Sequence, residues 1–243
     1  MEWSKGNLEA AFEYIKNALN SLKYKRNKLQ SLAYIYYIQA VFYFDLNELS
    51  LAKQFYQKSS NYLKEVAPIG LLGYIKIGLA SISVQKEEYI KGVRNLEDVL
   101  EIGKKYFHWN MEARAYHELG KIYLLNKQPQ KARIYFLKSY DIRKNNHALP
   151  ALVSTMISLA EICFEQKQYE ACENYLEVAL EICVSKRLNI KTAKIYQLFS
   201  QLYEHKNAFQ ASLEYLKKHN LLSLKLKDDK VGIKNKYLKF KSK

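Results

Sequence analysis

The stretch YHELGKIYLLNKQPQKARIYF, Tyr116 to Phe136, decides the fold. Tyr116, Leu119, Gly120 and Tyr123 follow one another at three- and four-residue steps, which places them on one face of a helix. Pro129 interrupts the run; inside a helix it would cost about 3 kcal/mol, so it marks a turn or a helix start. Ala132 and Phe136 then resume the helical spacing. The segment therefore reads as the end of one helix, a turn, and the start of a second.

The same signature returns at a step of forty residues without an insertion. A small residue, a Tyr, Ser or Cys three later and a second small residue nine beyond that occur as Ala40, Tyr43 and Ala52, and as Ala80, Ser83 and Gly92. After Gly120, Tyr123 and Ala132 come Ala160, Cys163 and Cys172, then Ser200, Tyr203 and Ser212. Bulky columns keep the step: Leu49, Tyr89, Pro129, Tyr169 and Phe209 before the second small residue, and Tyr56, Leu96, Phe136, Leu176 and Leu216 after it. Pro68 and Pro150 fall between units. Each unit predicts two antiparallel helices of about 15 residues, roughly 22 Å long at 1.5 Å per residue. One such pair cannot bury its apolar face alone, and stacked pairs share a continuous core, so the length does not demand two domains. The small columns let the paired helices approach, and aromatic side chains fill the space between pairs.

These columns resemble the tetratricopeptide repeat family. The resemblance rests on Tyr116, Leu119, Gly120, Tyr123, Ala132 and Phe136 and extends over roughly residues 8 to 216. The step of forty exceeds the family's usual 34, and Ser83 and Gly92 depart from its columns. The resemblance implies an all-α fold, a right-handed superhelical stack of antiparallel helix pairs. Residues 1–28 are expected to form a half-repeat with a B-type helix, residues 29–216 five helix pairs, and residues 217–243 a lysine-rich C-terminal helix or linker. The first B helix would lack an A partner, so either the chain is a piece of a longer one or something outside it covers that face. Forty-residue variants are similar to those of bacterial signalling proteins, where the array precedes a kinase, cyclase or DNA-binding output.

Composition fits this reading and excludes others. Apolar residues make up 49% of the 243, enough for a sizeable core, while eight glycines and three prolines are too few for a turn-rich β protein or a disordered chain. Three cysteines exclude a disulfide-stapled scaffold. The N-terminus shows no signal peptide. The most apolar stretches, residues 31–44 and 68–84, are respectively shorter than the roughly 18 residues of a membrane span and interrupted by Lys76. No membrane span is expected, and the expected location is the cytoplasm.

The search for chemistry is negative. Gly70, Gly73 and Gly78 lie in a helical pattern without the Lys-Ser/Thr of a phosphate loop. His117-Glu118 lacks a second histidine four residues on, and the five histidines are scattered, so neither a metal nor a cofactor is expected and no catalytic residue is assigned. Cys163 and Cys172 occupy packing columns and read, with Cys183, as buried small hydrophobes.

Most of the 21 tyrosines and ten phenylalanines sit at repeat columns and read as core. The A-helix face that lines the concave groove in the resembled family carries the exceptions. By the repeat register its positions are Tyr34, Tyr37, Val41 and Phe44, then Tyr74, Ile77 and Ser81, then Arg114, His117 and Lys121, then Glu161, and finally Lys194, Gln197 and Gln201. This groove is expected to be aromatic toward the N-terminus and charged toward the C-terminus, and to hold a protein or peptide segment. The Lys/Asn pattern of a carboxylate clamp is missing, since the matching pairs are Tyr37/Val41, Ile77/Ser81, His117/Lys121, Ile157/Glu161 and Gln197/Gln201. No asparagine of the peptide-pheromone type stands at these positions either.

The chain carries a net charge of +15, and the last 27 residues hold ten lysines against Asp228 and Asp229. This tail reads first as a solvated helix end. The alternatives are a dimerising or output-coupling helix, since Leu224, Val231 and Leu238 recur at seven, and association with nucleic acid or another anionic surface. Nucleic acid is disfavoured because nothing in the tail offers base-reading geometry. The function expected is a non-catalytic protein- or peptide-binding module, the sensory or scaffold part of a bacterial signalling protein. The rival is a regulator of a response-regulator partner, with Glu161, Glu165 or Gln201 positioning a water.

Overall fold

Apolar residues at helical spacing, punctuated every twenty positions, leave the chain one way to bury its surface: as consecutive antiparallel helices. The computed structural model describes residue 17 and residues 28–63 and 69–241, with side chains as far as residue 228. A-type helices are α1 (Lys28–Asp45), α3 (Ile69–Gln85), α5 (Trp109–Leu125), α7 (Leu149–Glu165) and α9 (Asn189–His205). Each is followed by a B-type helix: α2 (Leu49–Leu63), α4 (Tyr89–Lys105), α6 (Pro129–Asn145), α8 (Tyr169–Lys186) and α10 (Phe209–Lys241). No strand occurs among the described residues. Pro129 opens α6 and Pro150 lies in the first turn of α7, where the missing N–H goes unused. Pro68 and the expected N-terminal half-repeat lie outside the described residues, save residue 17.

The turns repeat at half the sequence period. Asn47, Glu87, Phe107, Lys127, His147, Lys167, Arg187 and Asn207 all have positive φ, between 51° and 63°. None is glycine. After α5, the Lys127 N–H donates to Leu124 O at 3.0 Å and the Gln128 N–H to Tyr123 O at 2.8 Å, a left-handed cap that closes the helix through backbone alone. The residues preceding α4, α5, α7, α8 and α9 supply no side-chain cap either.

The chain divides into two compact units, Met1–Gln128 and Pro129–Lys243, a division that the unbroken repeat does not announce. In the first, α1, α3 and α5 lie side by side, with α2 packed on α1 and α3, and α4 on α3 and α5. The small columns work as the pattern requires: Ala40, Ala52 and Ala80 are fully buried. A Cβ on Gly78 would lie 2.2 Å from the Tyr56 ring, and one on Gly92 would lie 3.1 Å from Ile122 Cδ1, so glycine sets the helix spacing there. The Ser59 hydroxyl donates to Ala33 O at 2.5 Å, satisfying a buried polar group between α2 and α1.

In the second unit α7 packs on α6, α8 and α9, and α9 on α8 and α10. Ala160, Cys163, Cys172, Leu176 and Phe199 share its core. The Arg143 guanidinium donates to Ala151 O at 2.8 Å and to Thr155 Oγ1 at 2.5 Å, tying α6 to α7. Phe199, Tyr203 and Tyr215 form a ring stack with Tyr215 4.8 Å from Phe199 and 5.6 Å from Tyr203. All three cysteines are buried free thiols, and burial pushes Cys172 up to about 12. The lysine-rich segment is helical: α10 runs through residue 217 to Lys241 without a break, with Leu224 exposed. The side chains of Val231 and Leu238 lie outside the described set.

Candidate functional site

Side chains one turn apart on a helix share a face, so three adjacent A helices can bring Tyr34, Tyr37, Tyr74 and Arg114 together. In the first unit they do. Tyr34 is 48% exposed and tilts against Tyr37 at 6.2 Å between ring centroids, and Tyr37 in turn meets Tyr74 across the helix boundary at 6.3 Å. The Arg114 guanidinium lies over the Tyr74 ring at 5.2 Å, a cation–π contact between α5 and α3. The His108 ring also meets Tyr74, edge-on at 5.8 Å between centroids. Burial pushes the Tyr74 phenol up, with Arg114 opposing, so the ring stays a neutral hydroxyl donor.

One turn along, the surface becomes charged. Lys121 Nζ sits 2.8 Å from Glu118 Oε2, and the Ser81 hydroxyl reaches toward the same oxygen from α3 at 3.5 Å while donating to Ile77 O at 3.1 Å. Burial alone would push the Glu118 carboxyl up. The Lys121 ammonium, with His117 and Arg114 nearby, outweighs it and holds the group below its usual range. Three basic side chains thus gather around one carboxylate, leaving the local surface with a positive excess.

The register places the remaining expected positions unevenly. Tyr37 is 8% exposed and Ile77 only 1%, so Ile77 packs in the core and offers a ligand no accessible surface, and Tyr37 is a backing ring. Val41 and Phe44 are half-buried against the same core. In the second unit Lys194 Nζ pairs with Glu161 Oε1 at 2.9 Å, joining α9 to α7. Gln197 and Gln201 line a cleft of about 340 Å³ with Glu204, Leu213 and Leu216. The sequence reading missed His108, which lies in a turn and follows no helical register. Its only signal was an aromatic run in a place where other turns are polar.

Among the described residues no group of three or more His, Cys, Asp or Glu side chains could hold a metal ion. Nor, among the described residues, is any helix long and apolar enough to cross a membrane.

Residues 73–145 match the model of the tetratricopeptide repeat family. No curated protein matches the chain significantly. Among solved structures, the chain resembles BtubC (BKLC) from P. vanneervenii at 13% identity and a TM-score of 0.68, covering 92% of each chain. It resembles a Rap protein complexed with competence and sporulation factor at 12% identity and a TM-score of 0.71, covering 85% of this chain and 57% of that one. A third neighbour is aspartyl phosphate phosphatase F from Bacillus subtilis, at 12% identity and a TM-score of 0.62, covering 90% and 66%. At such identities the likeness is one of fold.

Proposed function

We propose that this chain of tetratricopeptide repeats is a non-catalytic module that binds a protein or peptide segment along the A-helix face of its first unit, as a sensory or scaffold part of a bacterial signalling protein. The observation that carries it is the surface built by three separate helices. An exposed Tyr34 is backed by Tyr37 and Tyr74, and Arg114 and Lys121 lie within reach along α5. Rigid tyrosine and arginine side chains are the residue types that anchor protein interfaces. The positive excess favours a segment with an aromatic or aliphatic anchor followed by an acidic residue. A random peptide library displayed on phage and selected on the purified chain tests this. Selected peptides should lose about tenfold in affinity on Tyr34→Ala or Arg114→Ala, a loss of about 1.4 kcal/mol. Peptides that bind both variants undiminished would place the contact elsewhere.

A second reading draws on the fold likeness to the Rap protein and the phosphatase: a regulator of a response-regulator partner. Glu161, Glu165 or Gln201 would then position a water. The Glu161 carboxylate is held by Lys194, so Glu161→Ala should abolish phosphate loss from such a partner under this reading and leave peptide selection unchanged under the first.

A further inference from the structure

The turn between α4 and α5 differs in kind from the rest. At the other seven described left-handed turn positions the residue is Asn, Glu, Lys, His or Arg. Here it is Phe107, held at φ 54° and 91% exposed. Its neighbours Tyr106 and Trp109 are 48% and 38% exposed, so three large rings project from one turn.

That turn is rigidly backed. The Tyr106, Phe107 and His108 N–H groups donate to Ile102, Lys104 and Gly103 carbonyls at 3.1, 3.3 and 2.8 Å, and His108 packs edge-on against Tyr74. Gly103 lets α5 close in, since a Cβ there would lie 2.6 Å from Glu112 Cγ. The Phe107 ring is therefore presented outward at a conformational cost that a polar residue or glycine would lower. Lys104 and Lys105 are exposed beside it, with Lys105 Nζ 5.6 Å from the Tyr106 ring, while Glu101 stands one turn back.

We propose that the Tyr106–Trp109 turn is an interfacial anchor that inserts Phe107 into the surface of an anionic phospholipid bilayer. The shape is a convex tip, not a groove awaiting a helix. Tyr and Trp prefer the headgroup level, where an apolar body and a polar edge are both accommodated, and a fully exposed Phe gains most from the hydrocarbon boundary just below. Lys104 and Lys105 supply the charge that anionic headgroups attract, and the net charge of +15 brings the chain to such a surface. This anchoring stands apart from the segment-binding surface, because His108 faces inward to Tyr74 and the three rings face out.

The test uses the full chain with Trp3→Phe, which leaves Trp109 as the single tryptophan. Co-sedimentation with phosphatidylglycerol–phosphatidylcholine vesicles should show binding that pure phosphatidylcholine does not support. Trp109 emission should shift to the blue on binding. Phe107→Ser should lower the vesicle partition constant about tenfold, the factor implied by burying one such ring. Phe107→Gly, which relieves the backbone, should lose binding to the same extent in a chain at least as stable, separating anchoring from folding. Lys104→Glu with Lys105→Glu, which lowers the net charge from +15 to +11, should weaken the preference for anionic lipid without erasing it. Binding unchanged in Phe107→Ser, binding without a Trp109 shift, or no binding to anionic vesicles would each overturn the proposal; the first two would mean that diffuse positive charge alone holds the chain.

Discussion

Lys127 and Asn207 occupy the same place in two turns, with φ of 56° and 59°. A left-handed conformation costs most L-residues about 1–2 kcal/mol, and Asn tolerates it better than most. Lys127→Gly should therefore stabilise the chain by about 0.5–1 kcal/mol, net of the entropy glycine restores to the unfolded state, while Asn207→Gly should change little. Urea titration of both variants measures the difference. Glu118 makes a second prediction at this scale. Its neighbouring cations hold its folded pKa below the unfolded value, so its stabilising contribution is full above the ordinary Glu range and is lost as pH falls through the depressed value. Glu118→Gln should cost about 1 kcal/mol near neutral pH, and the gap to the parent should close as pH falls below the ordinary Glu range. A constant gap across that range in thermal melts would assign the residue a packing role instead.

A repeat column does not by itself set what its residue contributes to stability. Leu176 on α8 and Leu216 on α10 share a column, yet Leu176 is fully buried and Leu216 is 41% exposed. Leu176→Ala should cost about 2–5 kcal/mol, and Leu216→Ala below about 1 kcal/mol, by chemical denaturation. The contrast shows what was legible in the sequence. The forty-residue step located both helices of each pair, and the small columns predicted close approach, because periodicity and side-chain volume are local properties of the chain. Burial along a column is not local: it depends on whether a further helix covers that face, and no residue type records that. The aromatic and basic face of α1, α3 and α5 was legible for the same reason as the helices, since register assigned Tyr34, Tyr74 and Arg114 to one side. Ile77 was assigned to the groove because register fixes the side of a helix on which a residue lies but not how deeply it is buried. His108 escaped because the groove was read from the helical spacing of the A helices, and a turn residue lies outside that spacing although the turns themselves recur at a fixed step.

Across the whole molecule, stability is a sum of pairwise helix contacts, and the two compact units each carry their own. A lesion in one should be felt there first. Leu176→Ala should raise amide hydrogen exchange across α7 to α9 more than across α1 to α4, measured by mass spectrometry under native conditions. Uniform acceleration along the chain would show instead that the two unfold as one cooperative body. The turns give this architecture a further property. They close on backbone hydrogen bonds and one left-handed residue, without glycine and, before α4, α5, α7, α8 and α9, without side-chain caps. The side chain at each of those corners makes none of the bonds that close the turn, so what it presents to its surroundings can differ from corner to corner within the set of residues that tolerate a left-handed backbone.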